Sequence, residues 1–167
     1  PLTLVNYLLL GCASGATLAT VLAAIQAPGL VIPYAQLAAL ITLLGFVTRG
    51  ASLVRNARLK PKSTLQSAIG IKHPRIVQKA QGFMGGSFNT REFFHGRTVA
   101  MLRSVKWAFL LLVFPVPLLC LAMGVAQGST SLLLAAFTIQ YVGLIAERWF
   151  FFAQANHPQN LYYQTIS

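Results

Sequence analysis

The stretch SLLLAAFTIQYVGLIAERWFFFA, residues 131–153, decides the fold class. A helix needs about twenty residues, at about 1.5 Å each, to cross about 30 Å of hydrocarbon. This run is long enough. Backbone polar groups in lipid must be satisfied within the segment, so a helix is the expected form. Yet Glu147 and Arg148 stand side by side in it. Gln140, Glu147 and Gln154 recur every seven residues and share one face, with Gly143 between them and with Tyr141 and Arg148 on the adjacent stripe. One side of this helix is therefore polar and expected to face protein or a cavity rather than lipid. Glu147 lies about 24 Å along the helix from Ser131. That places it near one membrane border, within reach of Arg49, Arg91 or Arg97.

Three further apolar runs have comparable length: 4–27, 30–48 and 105–125. Hydrophobic residues make up 56% of the chain and charged residues only 9%, whereas a soluble domain carries about 25% charge. The expected fold is an all-α integral membrane protein with four spans. A transmembrane hairpin over 1–49 and another over 105–167, ending in a short tail, are joined by a basic, partly helical linker over 50–104. Pro115 and Pro117 predict a kink in the third span. Gly11, Gly15, Ala19 and Ala23 repeat every four residues on the first span and predict close approach of another helix. Cys12 and Cys120 fall in apolar runs and are expected to be small buried side chains; without a C-x-x-C pair the chain holds no metal or iron–sulfur cluster by itself.

Charge is concentrated in the linker. Of the thirteen Lys and Arg, all but Arg148 lie between Arg49 and Lys106. The positive-inside rule places the linker and both ends in the cytoplasm. Arg49, Arg75, Lys79, Arg91 and Arg97 are candidates for docking an acidic partner. Anionic lipid headgroups are the other expected partner, and nucleic acid is not. Within the linker, Pro74 and Gly82 bracket a short helix over RIVQKAQ. In FNTREF, Asn89 fits an N-cap, Glu92 its capping-box partner, and Phe88 with Phe93 a hydrophobic staple. This accounts for the second acid structurally.

Ionisable and polar groups inside a span are functional candidates by default. Gln140, Glu147 and Arg148, with the border histidines His95 and His157, are the candidates for quinol or proton handling. The competing reading is an ion pair and hydrogen bonds that fix helix packing. His73, His95 and His157 all lie outside the spans, which argues against an intramembrane haem held between histidines.

The segments STLQSAIGIKHPRIVQKAQGFMGGSFNTREFFHG and GLIAERWFFFAQANHPQNLYY resemble the membrane anchor subunit of dimethyl sulfoxide reductase-type molybdoenzyme complexes. The opening PLTLVNYLLLGCASGATLA resembles the fifth span of that family. The resemblance implies the C-terminal half of an eight-helix anchor in a bacterial inner membrane. Such anchors hold a molybdopterin catalytic subunit and an iron–sulfur subunit. They bind quinol, menaquinol or ubiquinol, and pass its electrons to the iron–sulfur subunit. They carry no haem or metal of their own. Arg91, Glu92, His95, Glu147, Arg148 and His157 fall on positions of the family pattern. The histidine and acid tied to quinol in the family belong to the N-terminal half, so no residue here inherits that role. Some members of the family are drawn with both termini periplasmic, opposite to the orientation from charge. The alternative function class is non-redox: half of a small transporter, for which the kink is the one hint, or an assembly scaffold.

Overall fold

The computed structural model describes residues 2–60, 64, 66, 67, 70, 72, 73 and 99–154. Among the described residues there is no strand. Four helical segments are long and apolar enough to cross a membrane: Leu2–Gln26, Pro28–Arg58, Ala100–Gln127 and Thr130–Ala153. The all-α, four-span expectation is met. By secondary structure these are α1 (Leu2–Gln26), a 3-10 turn (Pro28–Leu30) leading into α2 (Val31–Arg58), α3 (Val99–Val113), α4 (Pro115–Gln127) and α5 (Thr130–Ala153). The chain forms two compact units, one of Pro1–Arg58 with Trp107–Glu147 and the other of Leu59–Lys106 with Arg148–Ser167.

Two boundaries differ from the sequence reading. The second apolar run ends near Thr48, but α2 continues to Arg58. Loss of hydropathy does not end a helix; a proline or an αL residue does, and residues 49–58 hold no proline and stay helical through Gly50. The third span is broken rather than merely bent. Pro115 and Pro117 have no N–H for the carbonyls of Leu111 and Val113, and Phe114 takes φ −112° and ψ −79° between α3 and α4. A short turn follows α4. Gly128, at φ 61°, supplies the left-handed residue that closes the helix, and the Ser129 N–H returns to the Gly124 carbonyl at 2.9 Å. Ser129 then opens α5, its Oγ accepting the Leu132 N–H.

The first unit is held by small side chains. Ala16, Ala35, Ala38 and Ala136 pack with Val21, Leu121 and Leu133 in one buried cluster. Without a hydrophobic driving force between helices in lipid, such small residues gain van der Waals contact by letting backbones approach. On α1 the buried face runs through Asn6, Leu10, Ala13, Thr17 and Thr20. Thr20 donates its hydroxyl to the Ala16 carbonyl at 2.9 Å, and Thr17 shares its one hydroxyl proton between the Ala13 carbonyl at 2.9 Å and Gln140 Oε1. Of the small-residue repeat, Ala23 is buried and Ala19 half-buried, but Gly11 and Gly15 are both exposed. A Cβ at either glycine would meet nothing within 4 Å. Cys12 is exposed as well and Cys120 half-buried, contrary to the expectation of burial. An apolar run does not reveal which side of its helix meets protein and which meets lipid.

In the second unit, Thr64 and Ser67 cap each other. The Ser67 N–H donates to Thr64 Oγ1 at 3.2 Å and the Thr64 N–H to Ser67 Oγ at 2.7 Å. The readings of RIVQKAQ and FNTREF, with Pro74, Gly82, Asn89 and Glu92, lie outside the described residues.

Candidate functional site

Gln140 projects from α5 into the interior of the first unit and is 1% exposed. Its Oε1 accepts the Thr17 hydroxyl of α1 at 2.8 Å. Its Nε2 donates to Thr42 Oγ1 of α2 at 3.2 Å and to the Val113 carbonyl at 3.3 Å. That carbonyl is the one that Pro117 leaves without a helical donor. Gln140 therefore closes the hydrogen-bond gap of the broken span with a donor from another helix. One amide joins α1, α2, α5 and the end of α3, with both its donor and its acceptor engaged. An unmet carbonyl there would cost about 1–3 kcal/mol.

Gly143, one turn further, makes this approach possible. A Cβ at that position would stand 2.8 Å from Leu112 Cβ and 2.9 Å from the Leu112 carbonyl carbon. Because one of those atoms is backbone, no side-chain rearrangement could make room. The glycine lets α5 lie against α3 where the span breaks.

Glu147, a further turn on, is 0% exposed and pairs with Arg49 of α2, Arg49 Nη2 to Glu147 Oε1 at 2.7 Å. Arg49 is 2% exposed, and its guanidinium also lies 5.6 Å from the centre of the Phe109 ring. Of the three arginines the sequence offered, Arg49 is thus a partner of the acid. Its charge faces the bundle interior, not the surface expected of a docking cation. The pair stands where α2 leaves its apolar run, which agrees with the border position counted along the helix. Two buried charges offset their desolvation only with short geometry and further hydrogen bonds to the remaining atoms; the 2.7 Å separation supplies the first.

The remaining candidates fall elsewhere. Arg148 is half-buried in the second unit, with its guanidinium 5.3 Å from the Phe151 ring centre. Tyr141, on the adjacent stripe, is exposed, and Gln154 is half-buried. His95, His157, Arg75, Lys79, Arg91 and Arg97 lie outside the described residues. The sequence reading missed Asn6. Its side chain is 2% exposed, and neither amide atom has a hydrogen-bond partner. The available signal was its place in the series Asn6, Leu10, Ala13, Thr17 and Thr20, which marks one helix face.

Gln140 and Glu147 do not fit a quinone headgroup as they stand. The amide is fully engaged within the bundle, and the carboxylate has no exposed surface.

Among known proteins, a sulfite dehydrogenase chain of Allochromatium vinosum, named as the C component of that enzyme, is 52% identical to this chain over all 167 residues. The match covers 51% of that protein, so the chain spans about half the length of the relative. No family model and no solved structure matches it.

Proposed function

We propose that this chain is part of a membrane component of an oxidoreductase complex of the sulfite dehydrogenase kind, holding the electron-transferring subunits at a bacterial inner membrane and linking them to the quinone pool. The carrying observation is the 52% identity across the whole chain. The name of the relative favours an oxidative direction. Sulfite and water give sulfate, two protons and two electrons; a quinone that takes up two electrons and two protons becomes a quinol. The membrane carrier is then filled by the complex, the reverse of the direction implied by resemblance to dimethyl sulfoxide reductase anchors. Molybdopterin and iron–sulfur clusters, in this reading, belong to partner subunits.

This chain's own contribution is scaffolding. Gln140 holds the broken span closed, and Arg49 with Glu147 locks α2 to α5 at one membrane border. No reaction step runs through either site. Proton handling by Glu147 is the second reading, supported by its burial as an ionisable group within a span.

Affinity isolation of the chain from mild detergent tests the proposal. Co-isolation of a molybdenum-containing and an iron–sulfur subunit, with sulfite-dependent reduction of a soluble quinone analogue, is the expected result. A protein isolated alone that drives ion-dependent solute uptake sinks it. Glu147→Gln separates the two readings of the pair: a loss of assembled complex supports the lock, whereas intact assembly with slowed quinone reduction supports proton handling.

A further inference from the structure

Among the described residues, two side-chain amides are buried in the first unit, and protein groups serve only one of them. Gln140 has its oxygen and its nitrogen both bonded to other helices. Asn6, just as deeply buried, has neither Oδ1 nor Nδ2 so engaged. Buried polar atoms are almost always paired, and internal water serves them where protein does not.

The register of the helices shows what Asn6 faces. α1 and α2 run antiparallel through the turn at Pro28–Leu30. A Cβ on Gly45 of α2 would stand 3.1 Å from Leu10 Cδ2 of α1, which aligns these two positions. One turn on from each, in opposite chain directions, come Asn6 and Arg49. Both lie on the buried faces of their helices, Asn6 with Leu10 and Ala13, Arg49 with Gly45 and Thr42. Asn6 therefore stands across the hairpin from Arg49, level to within about one turn, or about 5 Å. Glu147 shares that level because α5 runs parallel to α2. Gln140 meets Thr42, and seven residues later on each helix Glu147 meets Arg49.

The chemistry of the amide selects its ligand. Oδ1 calls for a donor and Nδ2 for an acceptor. A metal cation would meet only the oxygen and be repelled by Arg49. An anion would meet only the nitrogen and be repelled by Glu147. Water meets both, and its remaining bonds suit a guanidinium, which only donates, and a carboxylate, which only accepts. One water joins polar atoms about 5–6 Å apart, a distance within reach at this register. The level suits entry as well. The ion pair stands where α2 leaves its apolar run, and Ser52, 7% exposed, continues the buried face of α2 toward that border.

We propose that Asn6, Arg49 and Glu147 form an internal water site, in which the Asn6 amide holds one water or a short cluster against the ion pair. The water supplies hydrogen bonds that help offset the desolvation of the two charges. The tie made by Gln140, two turns away along α5, is dry by contrast.

The test is radiolytic labelling of the intact complex in lipid nanodiscs. A brief X-ray pulse converts water into hydroxyl radicals, which oxidise the side chains beside it, and mass spectrometry reads the positions. The probe is water itself. Leu10, one turn from Asn6, and Phe109, under the Arg49 guanidinium, are 3% and 0% exposed and should be oxidised in the wild-type protein. Leu133, 1% exposed in the alanine-lined cluster, is the dry control and should not be. Asn6→Leu, whose larger side chain takes the room of amide and water together, should bring Leu10 and Phe109 down to the level of Leu133. Asn6→Ser keeps a group that both donates and accepts and should retain the labelling. Leu10 and Phe109 as unlabelled as Leu133 in the wild-type protein overturn the proposal, and that outcome requires no variant to fold. Labelling that persists in Asn6→Leu overturns it too, since water would then be held without the amide.

Discussion

Gln140 and Glu147 stand two turns apart on the same face of α5, and both are buried in the same unit. They do different work. Gln140 is neutral, and its three hydrogen bonds reach α1, α2 and the freed carbonyl of Val113. Glu147 is charged and leans on Arg49. A neutral amide can be shared among several helices because each bond costs little desolvation, and each contributes a net ~1 kcal/mol. Removing the opposite charge of a buried ion pair leaves an uncompensated ion in a low-dielectric interior. The same seven-residue spacing thus yields a shared neutral tie at one position and a buried ion pair at the other.

The largest effect should come from splitting the lock. Arg49→Leu or Glu147→Leu alone should lower the stability of the detergent-solubilised protein by about 3–5 kcal/mol, while the double substitution recovers most of the loss. Thermal unfolding followed by circular dichroism reads this. Singles that cost less than the double would mean the charges do not hold the unit together. Next is Gly143→Val, between the two sites, which should cost about 3 kcal/mol through overpacking against the Leu112 backbone. If the same melting experiment finds it tolerated, α5 and α3 are less closely seated than the geometry indicates.

Gln140→Leu should cost about 2 kcal/mol, chiefly through the orphaned Val113 carbonyl. In a Pro117→Ala background the new N–H can take that carbonyl, and the penalty should shrink by about half. An unchanged penalty would show that Thr17 and Thr42, rather than the kink, are what Gln140 serves. The smallest effect, and of opposite sign, is expected at Asn6. Replacing its unpartnered amide by leucine should stabilise the unit by about 1 kcal/mol. A loss of quinone-linked activity with stability retained would instead mark Asn6 as a functional group.

Much of this was legible in the residues. The hydropathy of four runs, the Pro115 and Pro117 break, the Gly128 turn and the buried polar stripe of α5 all follow from local rules. The end of α2 was misplaced because ASLVRNAR is polar without being helix-breaking. The packing face of α1 was misjudged because the four-residue spacing of small side chains was weighed above the polar series Asn6, Thr17 and Thr20, which marks the protein-facing side. Thus the repeat of Gly11 and Gly15 invited attention while Ala13, Thr17 and Thr20 made the contacts.

The sequence by itself determined that this chain is helical, that it has four segments able to span a membrane and that Gln140 and Glu147 share a face. Those properties depend on period, length and the cost of unpaired backbone in lipid, all of which are local. Only the tertiary structure decided that Gln140 serves Val113, that Arg49 meets Glu147, and that Asn6 is enclosed without a partner. These pairings join residues as far apart as Thr17 and Gln140, 123 positions along the chain. Their choice depends on how the helices are rotated and brought together, which spacing along one helix cannot specify.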